Sequence, residues 1–565
     1  MDFVALFCRE KIVWDCNIIK VTLKYIKERN KKPKMDKPIK ELGYMVDCSR
    51  GAVPKVETIK RLIDILSSFG YTYFMLYTED TYEIDGEPYF GYMRGKYSKE
   101  EIKEIDEYAS NKHMELRACI QTLAHLGRLQ AWDSYNSLFD IDNILLVKDE
   151  SVYEFIDKMF KTVSETFKSK TIHIGMDEAF HLGRGRYIDK YGYAPESEII
   201  SYHLKRVSEI AKKYGFTCYI WGDMVKNAAL KNQNNLTLDI PDNIIPFIWY
   251  YDEKGQDKLR EEIKLFKSIT TRPLGLCGGM YKWGGFAPNN RYSTNVCKEQ
   301  LEGCREFGID NFLVSGWGDG ASEASQFCIL PGLYRVAKMA KNEAIGDAKD
   351  FEKVVGMSLD DFDKIDSLGC LDPNIDYNHK HNTLPFTHLY MDLLQDPMME
   401  TALDKYPHLY MEAVKKLNTM ASNKEFGYMF DAMAKLGKVD SILCVLGRDI
   451  RKAYEKGETL LPYILKLQEA QELLDEFIAS HEYQWHKENK SFGYEKECQR
   501  LGGLKERMRY VEGRLKLYRD FKIDKIEELE EKHLPKIMYG KEIDPDDLKG
   551  NLYRYLVSAG LLNDY

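Results

Sequence analysis

Between about Glu41 and Gly320 the chain repeats one pattern eight times: a short apolar run, then a longer segment with one apolar face. The short runs are LGYMVDCSR (42–50), YTYFMLYTED (71–80), MELRACIQTL (114–123), KTIHIGMDE (170–178), TCYIWGDM (217–224), NIIPFIWYYD (243–252), RPLGLCGGMYKW (272–283) and NFLVSGWGDG (311–320). They have the length and apolar content of buried strands, and the segments between them have helical periodicity. VETIKRLIDILSSFG (56–70) sets Ile59, Leu62, Ile63 and Leu66 on one face and ends in Gly70, a helix-terminating residue. Segments 197–215 and 294–308 have the same form and also end in glycine. The stretch 224–242 is the weakest unit, expected to hold a broken helix or a loop. Eight strand–helix units in succession predict an α/β fold, a closed parallel (β/α)8 barrel.

At 565 residues the chain exceeds one barrel. After about residue 340 the strand-like runs stop, and 458–485 and 502–521 read as long amphipathic helices. The expected organisation is an N-terminal helical segment and linker over 1–40, with a helix over 17–30, a catalytic barrel over 41–340, and an α-helical C-terminal domain over 341–565. That last domain is expected to support the barrel or to pair two subunits into a homodimer; a share in the substrate groove is the second reading. Residues 485–503, rich in aromatic and charged side chains, are placed to reach a barrel mouth, their own or a partner's.

Bulk composition narrows the partners. Hydrophobic residues make up 44%, enough for a large core. The net charge of −9 gives no electrostatic reason to expect nucleic acid or an anionic membrane. The 12 cysteines form no C-x-x-C pair and fit a reducing compartment. Arg9, Glu10 and Lys11 interrupt the apolar N-terminus, which makes a poor signal peptide, and no apolar run has transmembrane length. A cytoplasmic protein without a membrane partner is expected.

In a barrel of this kind the working residues sit at the C-terminal ends of the strands. Here those ends carry Asp47 and Arg50, Glu79 and Asp80, His125, Asp177 and Glu178, Trp221 and Asp223, Trp249 and Tyr250, Tyr281 and Trp283, then Trp317 and Asp319. Four of the chain's 7 tryptophans thus fall at four successive strand ends, as walls of a pocket that could grip a sugar ring. In HIGMDEAF (173–180) a buried strand runs straight into two adjacent carboxylates. Adjacent strand residues face opposite ways, so both reach one pocket only if the strand curls, which Gly175 eases. Two neighbouring carboxylates between low-dielectric walls have their pKa values pushed apart, which suits acid-catalysed glycosidic cleavage. An Asp-Glu pair alone is commonly a solvated surface feature; the strand before it and its place in the barrel favour the chemical reading.

HIGMDE resembles the H-x-G-x-D-E motif of family 20 glycoside hydrolases, the β-N-acetylhexosaminidases. The likeness extends over about 41–335: VDCSRGAVPKVETIKRLID (46–64) resembles the family's first strand and helix, with its arginine at Arg50; Trp221, Trp249 and Trp317 fall at its pocket tryptophans, and Tyr281 at its acetamide-binding tyrosine. The chain looks closest to the short cytosolic, hexosaminidase D-like branch with a helical C-terminal domain. Two departures stand out. Only about 40 residues precede the first strand, too few for the small α/β domain usual there. Strand 7 also reads Tyr281-Lys282-Trp283 where many members carry an aspartate after the tyrosine.

The resemblance implies an exo-acting hydrolase of terminal GlcNAc or GalNAc with no cofactor and no metal, in which the substrate's own acetamide oxygen is the nucleophile. It implies Glu178 as general acid/base, Asp177 as acceptor of the acetamide N–H, and Tyr281 as donor to the acetamide oxygen. Arg50 would hold O3 and O4, with a salt bridge to Asp47 as the alternative, and Asp319 and Glu323 are candidates for O4 and O6. Trp283 adds to the pocket wall. His125, with Asp80 behind it, would tune Glu178, while His173 is open between packing and pocket. Three rivals remain: a metal-dependent hydrolase, for which the His379-x-His381 pair lies outside the barrel; a non-catalytic amino-sugar-binding barrel; and a retaining glycosidase using Asp223 or Asp319 as its own nucleophile.

Overall fold

The computed structural model describes residues 37–231, 239–251, 255–371, 384–396, 399 and 402–533, and the short strands Ile537–Met538 and Lys541–Glu542. The helix expected over 17–30 and the pair His379 and His381 lie outside the described residues.

Eight parallel strands close into a barrel: β1 (Glu41–Asp47), β2 (Tyr73–Tyr77), β3 (Glu115–Cys119), β4 (Thr171–His173), β5 (Thr217–Trp221), β6 (Ile244–Trp249), β7 (Gly275–Gly279) and β8 (Asn311–Gly316), with β8 returning to β1. Seven fall within their predicted runs, and β1 starts one residue before its own. A helix follows every strand: α1 (Val56–Phe69), α2 (Lys99–Asn111), α3 (Glu150–Thr166), α4 (Glu196–Lys213), α5 (Gly222–Lys231), α6 (Gln256–Ile269), α7 (Asn290–Phe307) and α8 (Leu330–Ala340). The weak unit therefore does hold a helix, α5, over its first part. Gly70 and Gly308 end α1 and α7 with φ of 93° and 67°, the left-handed region that only glycine enters cheaply.

The barrel interior is filled, not hollow. Met45, Tyr73, Met75, Tyr77, Cys119, Tyr219, Trp221, Phe247, Cys277 and Leu313 pack together inside it. Such large rings fit because glycines face them: a Cβ on Gly43 or Gly275 would lie 2.0 or 2.3 Å from the ring of Tyr73 or Phe247. A second apolar cluster fills the layer between strands and helices and continues into the C-terminal domain. Phe69 of α1 stacks on Phe351 at 5.8 Å, and Phe327 meets Phe426 at 5.4 Å.

That domain is built on four longer helices, α9 (Tyr406–Asn418), α10 (Gly427–Glu455), α11 (Leu461–Glu488) and α12 (Tyr494–Arg519). The turn between α11 and α12 docks on the loop after β1. Asn489 bridges to Pro54, Lys490 N–H donates to the Val53 carbonyl at 2.8 Å, and Lys55 N–H to the Glu488 carbonyl at 2.9 Å. The buried Glu488 carboxylate accepts from Ser325 Oγ at 2.5 Å, Gln326 N–H at 2.6 Å and Tyr428 Oη at 2.6 Å, tying the loop after β8 to the helices. The 485–503 stretch thus reaches the mouth of its own barrel. The ten described cysteines are all free, and no described helix is long and apolar enough to cross a membrane.

One core shared by two domains predicts one folding unit. Truncation after about residue 345 strips Phe69, Phe327 and the loops after β1 and β8 of their cover, and the expected product is aggregated protein. Size-exclusion chromatography and near-UV circular dichroism check this; a monomeric truncated barrel with a native near-UV spectrum would contradict it.

Candidate active site

A cavity of about 1070 Å³ opens at the C-terminal ends of the strands. Ten of the twelve residues predicted from the sequence line it: Arg50, His125, Asp177, Glu178, Trp221, Trp249, Trp283, Trp317, Asp319 and Glu323. Tyr281 and Asp80 do not. Tyr77, Tyr251 and Phe386, which the sequence reading had not singled out, are in the lining.

The two adjacent carboxylates reach one cavity because the backbone leaves the ladder early. β4 ends at His173, and Gly175, Met176 and Glu178 take φ values of 68°, 71° and 55°. Left-handed φ at a non-glycine residue costs of order 1–3 kcal/mol and persists only where the surroundings enforce it. Here side chains from the flanking strands' loops do so. Gln121 Oε1 accepts the Met176 N–H at 3.2 Å while its Nε2 donates to Asp177 Oδ1 at 2.8 Å. From the other side Asp223 Oδ2 accepts the Glu178 N–H at 2.9 Å. Gly175 is also a close approach, since a Cβ there would stand 2.0 Å from Gln121 Oε1.

His125 sets the electrostatics. Its Nε2 stands 3.2 Å from Asp177 Oδ2 and 3.7 Å from Glu178 Oε2. Burial disfavours the imidazolium, but the Asp177 charge and hydrogen bond outweigh it and push His125 up to about 9. Burial likewise pushes Asp177 up, yet the His125 charge and the bonds from His125 and Gln121 hold it below the ordinary aspartate value. Glu178 moves the other way: burial and then the Asp177 charge raise it, against His125 and Arg50. The pair is therefore split, with Asp177 the stronger acid and Glu178 the weaker. Asp223, raised by burial and by Asp177 to about 6, also accepts from Trp249 Nε1 at 3.4 Å.

The predicted coupling of His125 to Asp80 is not formed. Asp80 pairs with Arg94 at 3.1 Å, and Arg94 also donates to the Ser49 carbonyl. Glu79 instead is the carboxylate on this side, accepting from Tyr77 Oη at 3.0 Å. His173 is a packing residue: fully buried, it accepts the Gly175 N–H at 3.1 Å and lies 4.1 Å from the Trp221 ring, and burial pushes it down to about 3.

The aromatic walls are braced against one another. Trp249 stacks on Tyr251 at 5.5 Å, Trp283 meets Tyr251 edge-on at 5.4 Å, and Tyr77 meets Trp317 edge-on at 4.7 Å. Trp317 Nε1 donates to Tyr251 Oη at 2.7 Å. Tyr281 lies behind this layer, its ring tilted against Trp283 at 4.1 Å, with its hydroxyl donated to the Tyr251 carbonyl at 2.7 Å. Tyr251, two residues past β6, lines the cavity instead. Lys282, where an aspartate was the commoner residue, is buried and outside the lining.

Arg50 does not bridge to Asp47. Asp47 accepts from Ser49 N–H and Oγ at 2.8 and 2.7 Å and from Gly318 N–H at 3.0 Å. The Arg50 fork faces the cavity, its Nη2 3.9 Å from Glu79 Oε1 and its Nε without a hydrogen-bond partner among the described residues. Asp319 is pushed up to about 6 by burial, against Arg50. Glu323 is pushed up to about 7 by burial and the Glu497 charge, against Arg500, whose Nη1 it meets at 2.6 Å. Arg500, fully buried on α12, is a residue no local sequence signal marks as part of the site.

Two family models match the chain: the glycosyl hydrolase family 20 catalytic domain over residues 42–268, and the glycoside hydrolase 20C C-terminal domain over 360–545. Human hexosaminidase D is 23% identical over 212 residues, covering 36% of this chain and 43% of that protein; bovine hexosaminidase D is 23% identical over 211 residues, covering 36% and 60%. The chain thus spans about half the length of the curated relatives it matches. Among solved structures, the family 20 exo-β-N-acetylglucosaminidase of Vibrio harveyi, in complex with N-acetylglucosamine, superposes with a TM-score of 0.43 at 15% identity, over 58% of this chain and 59% of that one. The β-N-acetylhexosaminidase of Bacteroides fragilis gives 0.43 at 20%, over 57% and 70%.

The turn at 175–178 makes a prediction. Gly175→Ala adds a methyl at a left-handed position and against Gln121, so it displaces Asp177 and Glu178 without touching either. Misplacement by about 1 Å costs of order 10²-fold in turnover. Kinetics on the purified, folded variant, with circular dichroism as control, should show that loss; wild-type turnover would show that the turn tolerates a side chain.

Proposed function

Because the chain belongs to glycoside hydrolase family 20, we propose that it is an exo-acting β-N-acetylhexosaminidase that removes terminal, non-reducing GlcNAc or GalNAc from glycoconjugates, using the substrate's acetamide as nucleophile. The observation that carries this reading is the split pair: Asp177 held ionised by His125 and Gln121 beside a Glu178 raised above its ordinary value. A general acid must be protonated and a charge-stabilising partner must not be.

In the proposed reaction the aromatic walls hold one sugar and exclude water, and the Arg50 fork takes its O3 and O4 hydroxyls. Glu178 gives its proton to the glycosidic oxygen as the C1–O bond breaks. The acetamide oxygen bonds to C1, giving a cyclic oxazolinium, while Asp177 accepts the N–H and offsets its charge. Tyr251 is the better candidate than Tyr281 for the donor to the acetamide oxygen, since the Trp317 N–H bonded to its oxygen strengthens it as a donor. Water then attacks C1, Glu178 takes a proton from that water, and the C1–oxygen bond to the acetamide breaks. Each of these contacts strengthens as charge develops, so it acts on the barrier and not only on binding. Asp223 fits poorly as a protein nucleophile, because its two oxygens already accept from Glu178 N–H and Trp249 Nε1.

Aryl β-glycosides of GlcNAc and GalNAc test the activity, with monosaccharide as the only expected sugar product. A series with mono-, di- and trifluoroacetamide tests the nucleophile: each fluorine withdraws density from the attacking oxygen, so kcat/KM is expected to fall progressively. A flat series, with a 2-fluoro sugar trapping a covalent adduct on a carboxylate, would replace the acetamide by a protein nucleophile.

The pH profile follows from the signs. Activity needs Asp177 ionised and Glu178 protonated, so the acid limb of kcat/KM lies below the ordinary aspartate range and the basic limb above the ordinary glutamate range. His125 lowers both groups, so His125→Gln should move both limbs to higher pH. Limbs that stay in place, or move down, would mean that His125 does not set this pair.

A further inference from the structure

The loop after β1 is gripped from two sides. Arg94, from the loop after β2, donates to the Ser49 carbonyl, and Lys496, from the first turn of α12, donates to the next carbonyl, that of Arg50. Gly493, just before α12, packs so close that a Cβ on it would stand 2.2 Å from the Gly51 oxygen. Gly95 lies against the same turn, where its Cβ would stand 3.3 Å from Phe492 Cβ. Two cations thus lie side by side on successive carbonyls, at the joint between barrel and helical domain. A third, Arg128 in the short turn Gly127–Ala131 after β3, is near enough to repel both. Carboxylates answer only part of this charge. Asp80 takes Arg94 at 3.1 to 3.3 Å, which leaves Arg94 Nη1 unspent, and Glu323 takes Arg500 at 2.6 Å. Half-buried Arg128 makes no hydrogen bond or ion pair among the described residues. Lys496, only 6% exposed, makes no ion pair among them and spends one of its three N–H donors. Burial, then Arg128, Arg94 and Arg500, push Lys496 down to about 7, against Glu323. Charges held out of water without a partner are costly.

We infer that Arg94, Arg128 and Lys496 form a binding site for a free tetrahedral oxyanion, sulfate or phosphate, seated between the loops after β2 and β3 and the start of α12. The charge of the ligand follows from the two cations that no carboxylate answers, which a dianion offsets. Its shape follows from the directions of the donors. They come from three elements, and a guanidinium fork takes two oxygens of a tetrahedral anion while an ammonium takes another. A carboxylate offers two oxygens in a single plane. The ion is separate from the sugar, since none of the three residues lines the catalytic cavity. It bridges the barrel loops to α12 behind the loop that carries Arg50, and it takes no part in the proposed hydrolysis.

Inorganic sulfate and inorganic phosphate are the probes, titrated into the full chain by calorimetry against sodium chloride at equal ionic strength. One saturable ion per chain is expected, with a rise in Tm that chloride does not give. A hydrogen-bonded charged contact is worth about tenfold in affinity, so Arg128→Gln should weaken sulfate by that factor, and Lys496→Met likewise. Arg128→Lys keeps the charge without the fork and should fall between Arg128→Gln and wild type. Lys298 is exposed on α7, and Lys298→Gln, the control for net charge, should bind as wild type does. Circular dichroism checks the fold of each variant. Sulfate binding unchanged in Arg128→Gln overturns the inference, whether or not Lys496→Met folds. Equal stabilisation by chloride overturns it, as does a loss in Lys298→Gln as large as that in Arg128→Gln. Displacement of the ion by N-acetylglucosamine would put it in the sugar pocket and sink the separate site. None of these outcomes depends on whether the chain cleaves a hexosaminide.

Discussion

Everything chemical in this cavity depends on a four-residue departure from β geometry. Left in a strand, Asp177 and Glu178 would face opposite sides of the barrel wall. The left-handed backbone at Gly175, Met176 and Glu178 brings both to one face. That conformation is unfavourable on its own, and Gln121 and Asp223 hold it by taking the Met176 and Glu178 amides from either side. Glu79 and His125, at the ends of neighbouring strands, also have positive φ. Local strain is thus concentrated where the carboxylates and their imidazole must converge, and the regular barrel below supplies the rigidity that sustains it.

The same contacts that fix the turn also split the pair. Gln121 binds Asp177 through the amide nitrogen while its oxygen holds Met176, so one side chain both shapes the loop and favours the ionised aspartate. Asp223 is a carboxylate used as a backbone acceptor, and its negative charge works against a second negative charge nearby. His125, kept protonated by Asp177, is the counterweight. Geometry and protonation are therefore not separate properties of this site.

The barrel was legible because strand and helix periodicities are local, and each repeated eight times. The glycines that end α1 and α7 were legible for the same reason: a left-handed cap has one cheap residue. Nine of the ten predicted residues that line the cavity were legible because a barrel places chemistry at strand ends, and Glu323 came from the family resemblance. What failed was the direction of single side chains. Tyr281 and Tyr251 both follow a strand end by two residues, and only packing decides which one faces the cavity. Tyr281 packs against Trp283 and gives its hydroxyl to the Tyr251 carbonyl. Asp80 and Glu79 pose the same problem one residue apart: Arg94, fourteen residues on, claims Asp80. The turn's two supports were hidden differently. Gln121 carries no charge to draw attention, and Asp223 suggested a nucleophile until its bonds were visible.

Arg500 was beyond local reading altogether, since 177 residues separate it from Glu323. The contact changes what the helical domain is for. A buried ion pair contributes little net stability, because desolvating both charges offsets most of their attraction, and an apolar pair of the same volume would often serve as well. The pair is accordingly poorly explained as an anchor between domains, a task already met by the shared aromatic core and by Glu488. It is well explained as a fixed mount for a carboxylate that lines the cavity. Lys496, one helical turn earlier on α12, donates to the Arg50 carbonyl and so braces the loop that carries the other polar wall. Phe386, from the short helix Leu384–Tyr390, borders the cavity as well. In the proposed reaction the barrel would supply the reacting groups, and the helices would hold the walls against which the sugar is placed.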